Sequence, residues 1–284
     1  MCLMALALGQ SSRWPLVLAS NRDEFHDRPT LPLSRWTAEG GTEVISGRDL
    51  RAGGTWLGCT PGGRIALLTN VREASTAAGP RSRGELPLRW LGSTQDSASF
   101  LASTPAADYA GCNLLMGDSL SGAWTWASNR GLNMLNGWQF QALTQGVHGL
   151  SNAGLNTPWP KTLALKAALQ QAMTAATEAN GPLAQGGQAA LTSMQARLWE
   201  ALAKRERAAL QDLPDTGIEP ALEHGLSSAW VDLPERGYGT RCSSLIWLQA
   251  DQGKPLRLHV SEKTWGAGNL APAMAELNWT SPAL

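Results

Sequence analysis

Cys2 follows the starting methionine directly. Cysteine is small enough for Met1 to be removed readily, and the chain then opens on a residue that carries both a thiol and a free α-amine. Such an amine has a reference pKa of about 7.7–8.0, so a useful fraction is neutral near pH 7 and can take the thiol proton directly or through water. The thiol is the strongest common side-chain nucleophile, and a nearby cation favours its thiolate. The same residue also reads as a small buried hydrophobe at the start of a strand.

The next cluster of reactive side chains is SNRDEFHDRP at 20–29, which places Arg22, Asp23, Glu24, His26, Asp27 and Arg28 within seven positions. It follows the apolar run LVLA, so it is either a solvated turn or a site where charges are held on purpose. Two antiparallel strands joined by a tight connection bring the end of the second beside the start of the first, which sets Asn21, Arg22 and Asp23 next to Cys2. In that arrangement Arg22 stabilises the thiolate, and Asp23 accepts from the protonated α-amine and orients it.

Asn70 ends the run RIALLT, and Asn152 follows HGLS; each puts an amide at a strand-to-loop boundary where it can face a developing oxyanion, although asparagine is also an ordinary turn residue. Arg241, in YGTRCSS at 238–244, pairs with a carboxylate, binds a substrate carboxylate or decorates a sheet edge. The four histidines, at 26, 148, 224 and 259, are scattered and make a metal centre a poor reading. Thirteen tryptophans against three phenylalanines and two tyrosines is an unusual bias. Trp56, Trp124, Trp126, Trp138 and Trp159 fall near the site motifs, where indole faces either line a cleft for a planar or lipidic ligand or fill a core.

The elements that position these residues follow from periodicity. Residues 3–9 and 16–20 flank the turn signal QSSRWP and predict two neighbouring strands, and residues 53–70 repeat the pattern around Pro61-Gly62-Gly63. Short helices are expected at 84–93 and 96–104, and strands with aromatic faces within 111–131. A helical region spans about 158–210, opened by Pro158, carrying Leu163, Leu165, Ala167, Leu169 and Met173, and broken at 181–187. Trp199, Leu198 and Leu202 then form a packed face. Residues 211–225 read as a loop, and 241–250 and 254–265 as strands separated by the turn Asp251-Gln252-Gly253. Strands at both ends with helices between them imply one layered domain over residues 2–284.

Composition narrows the classes. The 284 residues are 43% hydrophobic, enough for a sizeable core, and 23 basic against 23 acidic residues leave no net field to attract nucleic acid. The four cysteines, at 2, 59, 112 and 242, form no CxxC pair, so neither a zinc knuckle nor a dithiol redox motif is present. The opening MCLMALALG resembles neither a secretory nor a lipoprotein signal, and no later apolar run approaches bilayer length. A cytoplasmic protein without a transmembrane segment is expected. No GxGxxG or Walker A string opens a helix, which argues against a phosphate cradle.

Taken together, Cys2, ASNRDEF followed by RP, GGTWLG at 53–58, ALLTNVR at 66–72, SRG at 82–84, HGLSNAGLNTPWPK at 148–161 and YGTRCSS resemble the NRDE family, which includes the Transport and Golgi organization 2 proteins. The resemblance runs essentially end to end. It implies an α+β fold, the four-layer αββα sandwich of N-terminal nucleophile hydrolases, and a more distant similarity to cysteine-initiated acylases of the choloylglycine hydrolase and penicillin V acylase type. It carries Cys2 over as nucleophile, Arg22 and Asp23 as its supporting pair, Asn152 as an oxyanion or amine-orienting group, Arg241 as the late arginine and, with less support, Asn70. Those acylases separate the arginine from the aspartate, whereas NRDE joins them, so a strand-end bulge or another partner for Asp23 is required. The implied activity is hydrolysis of a non-peptide amide or related acyl bond on a small-molecule substrate, with no cofactor. The alternative is a non-catalytic carrier of haem or a hydrophobic acyl ligand. A carrier tolerates loss of the Cys2 thiol; a hydrolase does not.

Overall fold

The two apolar runs that open the chain become neighbouring antiparallel strands, β1 (Cys2–Leu8) and β2 (Leu16–Phe25), registered so that Leu8 faces Leu16 and Cys2 faces Arg22. Both faces of the pair are covered, which is why the runs are continuously apolar instead of alternating. Leu3, Ala5 and Ala7 enter one apolar cluster, and Met4, Leu6 and Leu8 another. The computed structural model describes residues 2–74, 79–131, 136–178, 185–251, 254–265 and 273–280.

The chain continues through β3 (Thr30–Thr37), β4 (Glu43–Asp49), β5 (Leu57–Cys59), β6 (Arg64–Asn70), α1 (Glu85–Leu91), α2 (Ser97–Ala102), β7 (Cys112–Asp118), β8 (Ala123–Ser128), β9 (Gln139–Ala142) and β10 (Gly146–Leu150). Then come α3 (Pro160–Glu178), α4 (Gln185–Leu202), α5 (Pro220–Gly225), β11 (Asp232–Leu233), β12 (Tyr238–Gln249), β13 (Arg257–Thr264) and β14 (Ala273–Thr280). The first sheet runs β10-β1-β2-β12-β13-β14, with β11 beside β12; the second runs β3 to β9 in chain order. Every pairing is antiparallel.

Among the described residues, three of four apolar clusters join the layers of this α+β fold. One joins the sheets face to face and includes Leu6, Leu18 and Ile246 from the first and Ile45, Leu67 and Leu115 from the second. Another packs the outer face of the first sheet on α3 and α4, through Leu165, Leu169, Met194 and Leu198. The third packs the second sheet on α1 and α2, through Leu86, Trp90 and Phe100. Among the described residues no helix is long and apolar enough to cross a membrane.

Several expectations are corrected. The helix expected from Pro158 starts at Pro160, which takes the first helical position, where its missing N–H is harmless. Its buried stripe is Leu165, Leu169, Ala172, Met173 and Ala176, while Leu163 and Ala167 are exposed. The expected loop at 211–225 contains α5, whose Pro220 likewise stands in the first turn. The second half of the helical region starts at Gln185, and residues 181–184 of the predicted break lie outside the described residues, as do Gln252 and Gly253 of the predicted turn. The strands β3, β4 and β14 are additions to the sequence reading.

Candidate active site

The end of β2 distributes its side chains to opposite faces of the first sheet, and that alternation assigns each letter of NRDE a different task. Asn21 belongs to the helix side. Its Nδ2 donates to the Leu202 and Ala229 carbonyls, both at 2.8 Å, and its Oδ1 accepts from Ser243 Oγ at 2.6 Å, fastening the strand to the end of α4.

Arg22 lies between Cys2 on β1 and Cys242 on β12. Its guanidinium stacks 4.1 Å from the centre of the Trp56 ring, and Nη2 stands 3.7 Å from Glu24 Oε2. Only 5% of the residue is exposed, and Nη1 has no hydrogen-bond partner among the described residues. Trp56 reaches this place because residue 47 is glycine: a Cβ there would come 2.3 Å from the indole.

Asp23 is buried; its Oδ1 accepts from Thr240 Oγ1 at 2.7 Å, and its carbonyl accepts from Tyr238 OH at 2.9 Å. Between Thr240 and Cys242 the β12 register shifts, so Arg241 is the extra residue of a bulge. The bulge lies on the partner strand, opposite the adjacent Arg22 and Asp23. It re-aims Arg241, whose Nη1 donates to the carbonyls of Phe25 (2.7 Å), His26 (3.1 Å) and Arg28 (3.2 Å) and so holds the turn after β2. Beyond it an ionic chain runs from Arg22 through Glu24 to Arg28, which contacts Asp49 at 2.6 Å.

Cys2, Arg22, Asp23, Trp56 and Asn70 line one pocket of about 300 Å³, whose lining also includes residues 79–84 and Ala110. Segment 79–84 is held by close backbone contact. Thr55 N–H donates to the Gly84 carbonyl, and a Cβ on Gly54 would come 2.4 Å from Gly84. Arg83 also lines the pocket and donates from Nη1 to the Gly111 carbonyl at 3.0 Å. Two larger cavities, about 400 Å³ between α3 and α4 and about 800 Å³ beside Arg13, have no cysteine among their described lining residues, whereas Cys2 lines the smaller pocket.

Four of the six expected residues, Cys2, Arg22, Asp23 and Asn70, therefore share the pocket. Asn152 stands behind it: fully buried, it donates from Nδ2 to the Asn70 carbonyl at 2.8 Å, and its own carbonyl accepts from Arg72 N–H at 2.7 Å. Arg241 acts on the neighbouring turn. Of the five tryptophans near the motifs Trp56 lines the pocket, while Trp124, Trp126 and Trp138 fill apolar clusters and Trp159 lies under Arg72.

Sequence reading missed a buried polar group behind Asp23. Arg72 and Glu223 form an ion pair through Arg72 Nη1. Glu223 also accepts from Thr216 Oγ1, and Lys161 Nζ donates to the Leu226 carbonyl at 2.8 Å. Two of these residues stand inside motifs already singled out, Arg72 in ALLTNVR and Lys161 at the end of HGLSNAGLNTPWPK, but nothing in spacing couples positions 72, 161 and 223.

Burial pushes the Cys2 thiol above its ordinary pKa; the N-terminal charge and Arg22 oppose this, and Asp23 and Glu24 reinforce it. Burial also raises Cys59 and Cys242 strongly and takes Cys112 up to about 12. Burial lowers Lys161 to about 8 against the opposing pull of Asp23. Among the described residues no group of three or more histidines, cysteines and carboxylates is placed to hold a metal.

The family model described as Transport and Golgi organisation 2 matches residues 1–267. The bovine Transport and Golgi organization protein 2 homolog is 33% identical over 252 residues, covering 83% of each chain. The Drosophila melanogaster protein is 25% identical over 273 residues, covering 90% of this chain and 88% of its own. Among solved structures, a variant of the conjugated bile acid hydrolase from Clostridium perfringens aligns with a TM-score of 0.49 at 10% identity, over 96% of this chain and 92% of its own.

Proposed function

The chain belongs to the Transport and Golgi organisation 2 family, and from that premise and the pocket geometry we propose that it is an N-terminal cysteine hydrolase of a non-peptide amide or related acyl bond. One observation carries the reading: Cys2 opens a strand on the wall of a pocket, directly across from the buried Arg22, whose Nη1 has no hydrogen-bond partner among the described residues. The Arg22 guanidinium beside Cys2 favours the thiolate over the thiol. We further read the order of apolar clusters, helix on sheet on sheet on helix, as the four-layer αββα arrangement of such hydrolases.

In this reading loss of Met1 frees the Cys2 α-amine, which takes the thiol proton. The thiolate, favoured by the neighbouring Arg22 guanidinium, adds to the acyl carbon, and the Asn70 amide stabilises the tetrahedral oxyanion. The C–N bond then breaks, the ammonium protonates the departing amine, and a thioester on Cys2 remains. Water, deprotonated by the regenerated amine, cleaves the thioester to a carboxylic acid and restores the thiol. Asp23, fixed by Thr240, orients the ammonium; Asn152 positions Asn70, and Arg241 holds the pocket rim.

The carrier alternative has less support. The pocket lining holds Trp56 as its one indole alongside Arg22, Asp23, Glu24, Arg28, Asp49, Arg81 and Arg83, a polar set that suits a reacting carbonyl better than a flat apolar ring system. The test is intact-mass detection of an acyl adduct after mixing Met1-free protein with nitrophenyl esters of graded acyl length. An adduct mapping to Cys2 and absent in Cys2→Ser is expected. Turnover unchanged in Cys2→Ser would overturn the reading.

A further inference from the structure

Four arginines, Arg22, Arg28, Arg81 and Arg83, line the pocket that holds Cys2. Three of them are committed to carboxylates. Arg22 and Arg28 each stand 3.7 Å from Glu24, Arg28 also contacts Asp49 at 2.6 Å, and Arg81 pairs with Glu85 at 2.7 Å. Arg83 differs: among the described residues its guanidinium makes one hydrogen bond, from Nη1 to the Gly111 carbonyl at 3.0 Å, and no ion pair. The carboxylates around it are taken. Glu73 stands beside Gly111, where a Cβ would come 2.6 Å from its Oε1, but both of its oxygens accept from Arg130 at 2.9 Å, and Glu24 is shared by Arg22 and Arg28. One carbonyl occupies only part of a guanidinium fork, so the rest is left to solvent and to whatever enters the pocket.

The segment that carries Arg83 is fixed by its backbone. Thr55 N–H donates to the Gly84 carbonyl at 2.9 Å, Arg81 N–H donates to the Asp108 carbonyl at 2.9 Å, and a Cβ on Gly79 would come 2.6 Å from the backbone of Asp108 and Ala110. A cation presented from a rigid segment gives up little freedom when it binds. The cavity, at about 300 Å³, is also at the lower end of the size range of ligand sites. A small molecule that places its acyl carbon at Cys2 therefore has its other end within the same lining as Arg83.

We infer that Arg83 is a specificity-determining residue of this site: it binds a carboxylate that the substrate carries a few bonds from the acyl carbon attacked by Cys2. The inference rests on the hydrolase reading. A planar guanidinium fork matches a carboxylate in geometry as well as in charge. A single negative charge suits this pocket better than the nearly double charge of a phosphate, because Asp23, Glu24 and Asp49 line the same walls.

The experiment uses iodoacetate and iodoacetamide, which differ by one charge at nearly equal size. Both react with the Cys2 thiolate, so any change in thiol pKa cancels from the ratio of their rates. Met1-free full-length wild type, Arg83→Gln, which retains a donor for the Gly111 carbonyl, and Arg83→Lys are compared at pH 7, with N-acetylcysteine as the free-thiol reference. A wild-type iodoacetate-to-iodoacetamide ratio about tenfold above the reference, cut at least about fivefold in Arg83→Gln and less in Arg83→Lys, is expected. If Arg83→Gln does not fold, acylation of wild-type Cys2 by the nitrophenyl monoester of glutaric acid is compared with acylation by its neutral glutaramide counterpart: faster reaction of the anionic ester supports the inference, and equal or slower reaction overturns it. A wild-type ratio at the reference value, or one unchanged in Arg83→Gln, overturns the inference and leaves the hydrolase reading intact. Wild-type Cys2 that neither reagent labels faster than the reference removes the reading, and the inference falls with it.

Discussion

At the scale of single residues the site is arranged around a deliberate deficit. Arg22 is buried, stacked on Trp56 and paired at 3.7 Å with Glu24, yet one of its nitrogens has no partner among the described residues. Its desolvation offsets much of the gain from stacking, which is worth about 0.5–2 kcal/mol. Arg22→Met is therefore expected to change unfolding free energy by no more than about 1 kcal/mol while slowing Cys2 alkylation at pH 7 at least about tenfold. Denaturant titration and labelling on the same preparation check both; a large stability loss with unchanged labelling would make Arg22 a structural residue. The contact between Arg22 and Cys2 is legible in the sequence because a tight hairpin leaves little freedom of register between its strands. The task of Asn152 is less legible, since an asparagine after a strand looks the same whether its amide faces a ligand or, as here, a neighbouring carbonyl.

At the scale of elements, two devices fix how neighbouring segments meet. Close backbone approach is one: Gly54→Ala brings a Cβ to 2.4 Å from Gly84, so the segment 82–84 must move, and the expected cost is about 1–3 kcal/mol with lowered Cys2 reactivity, read by thermal unfolding and labelling. A buried carboxylate is the other. Glu262 on β13 accepts from Leu33 N–H at 2.8 Å, Ser244 Oγ at 3.2 Å and Thr264 Oγ1 at 3.3 Å, tying β3 of the second sheet to the first. Burial raises its pKa, so the folded chain holds this proton more tightly than the unfolded chain does. Its contribution is then full below the ordinary glutamate range and is lost as pH rises through the folded value. Glu262→Gln is expected to flatten that decline in a pH series of denaturation midpoints, and an unchanged decline would place its origin elsewhere. Sequence pattern reveals β1, β2 and β6 because their apolar runs are long. It misses β3 because its side chains are mostly exposed and a register shift between Leu31 and Ser34 interrupts its pairing.

At the scale of the whole molecule, residues far apart in the chain meet behind the pocket. Arg72, beyond the last strand residue of β6, is ion-paired through its side chain with Glu223 of α5, and its backbone N–H holds the Asn152 carbonyl, so one residue links the second sheet, the site loop and the helix side. Arg72→Met leaves Glu223 buried and unpaired and is expected to cost about 3–5 kcal/mol, most of it recovered in Arg72→Met/Glu223→Leu, as measured by chemical denaturation. Equal losses in the single and double variants would mean that the pair does not act as a unit. This assembly is beyond sequence reading because its spacings, 72 to 161 to 223, are set by how sheets and helices stack and by no local period. The central claim, that Cys2 becomes an armed nucleophile once Met1 is gone, is tested most directly by peptide-resolved alkylation of Met1-free and Met1-retaining protein across pH 5–9. Cys59, Cys112 and Cys242 are buried with raised pKa values, so brief labelling reads Cys2 against a silent background. The retained form is expected to label more slowly than a free thiol, because burial raises Cys2 there, and Cys2 of the Met1-free form to label fastest of the four cysteines, with a midpoint below the free-thiol value of about 8.5. Equal, slow labelling of Cys2 in both forms would contradict that claim.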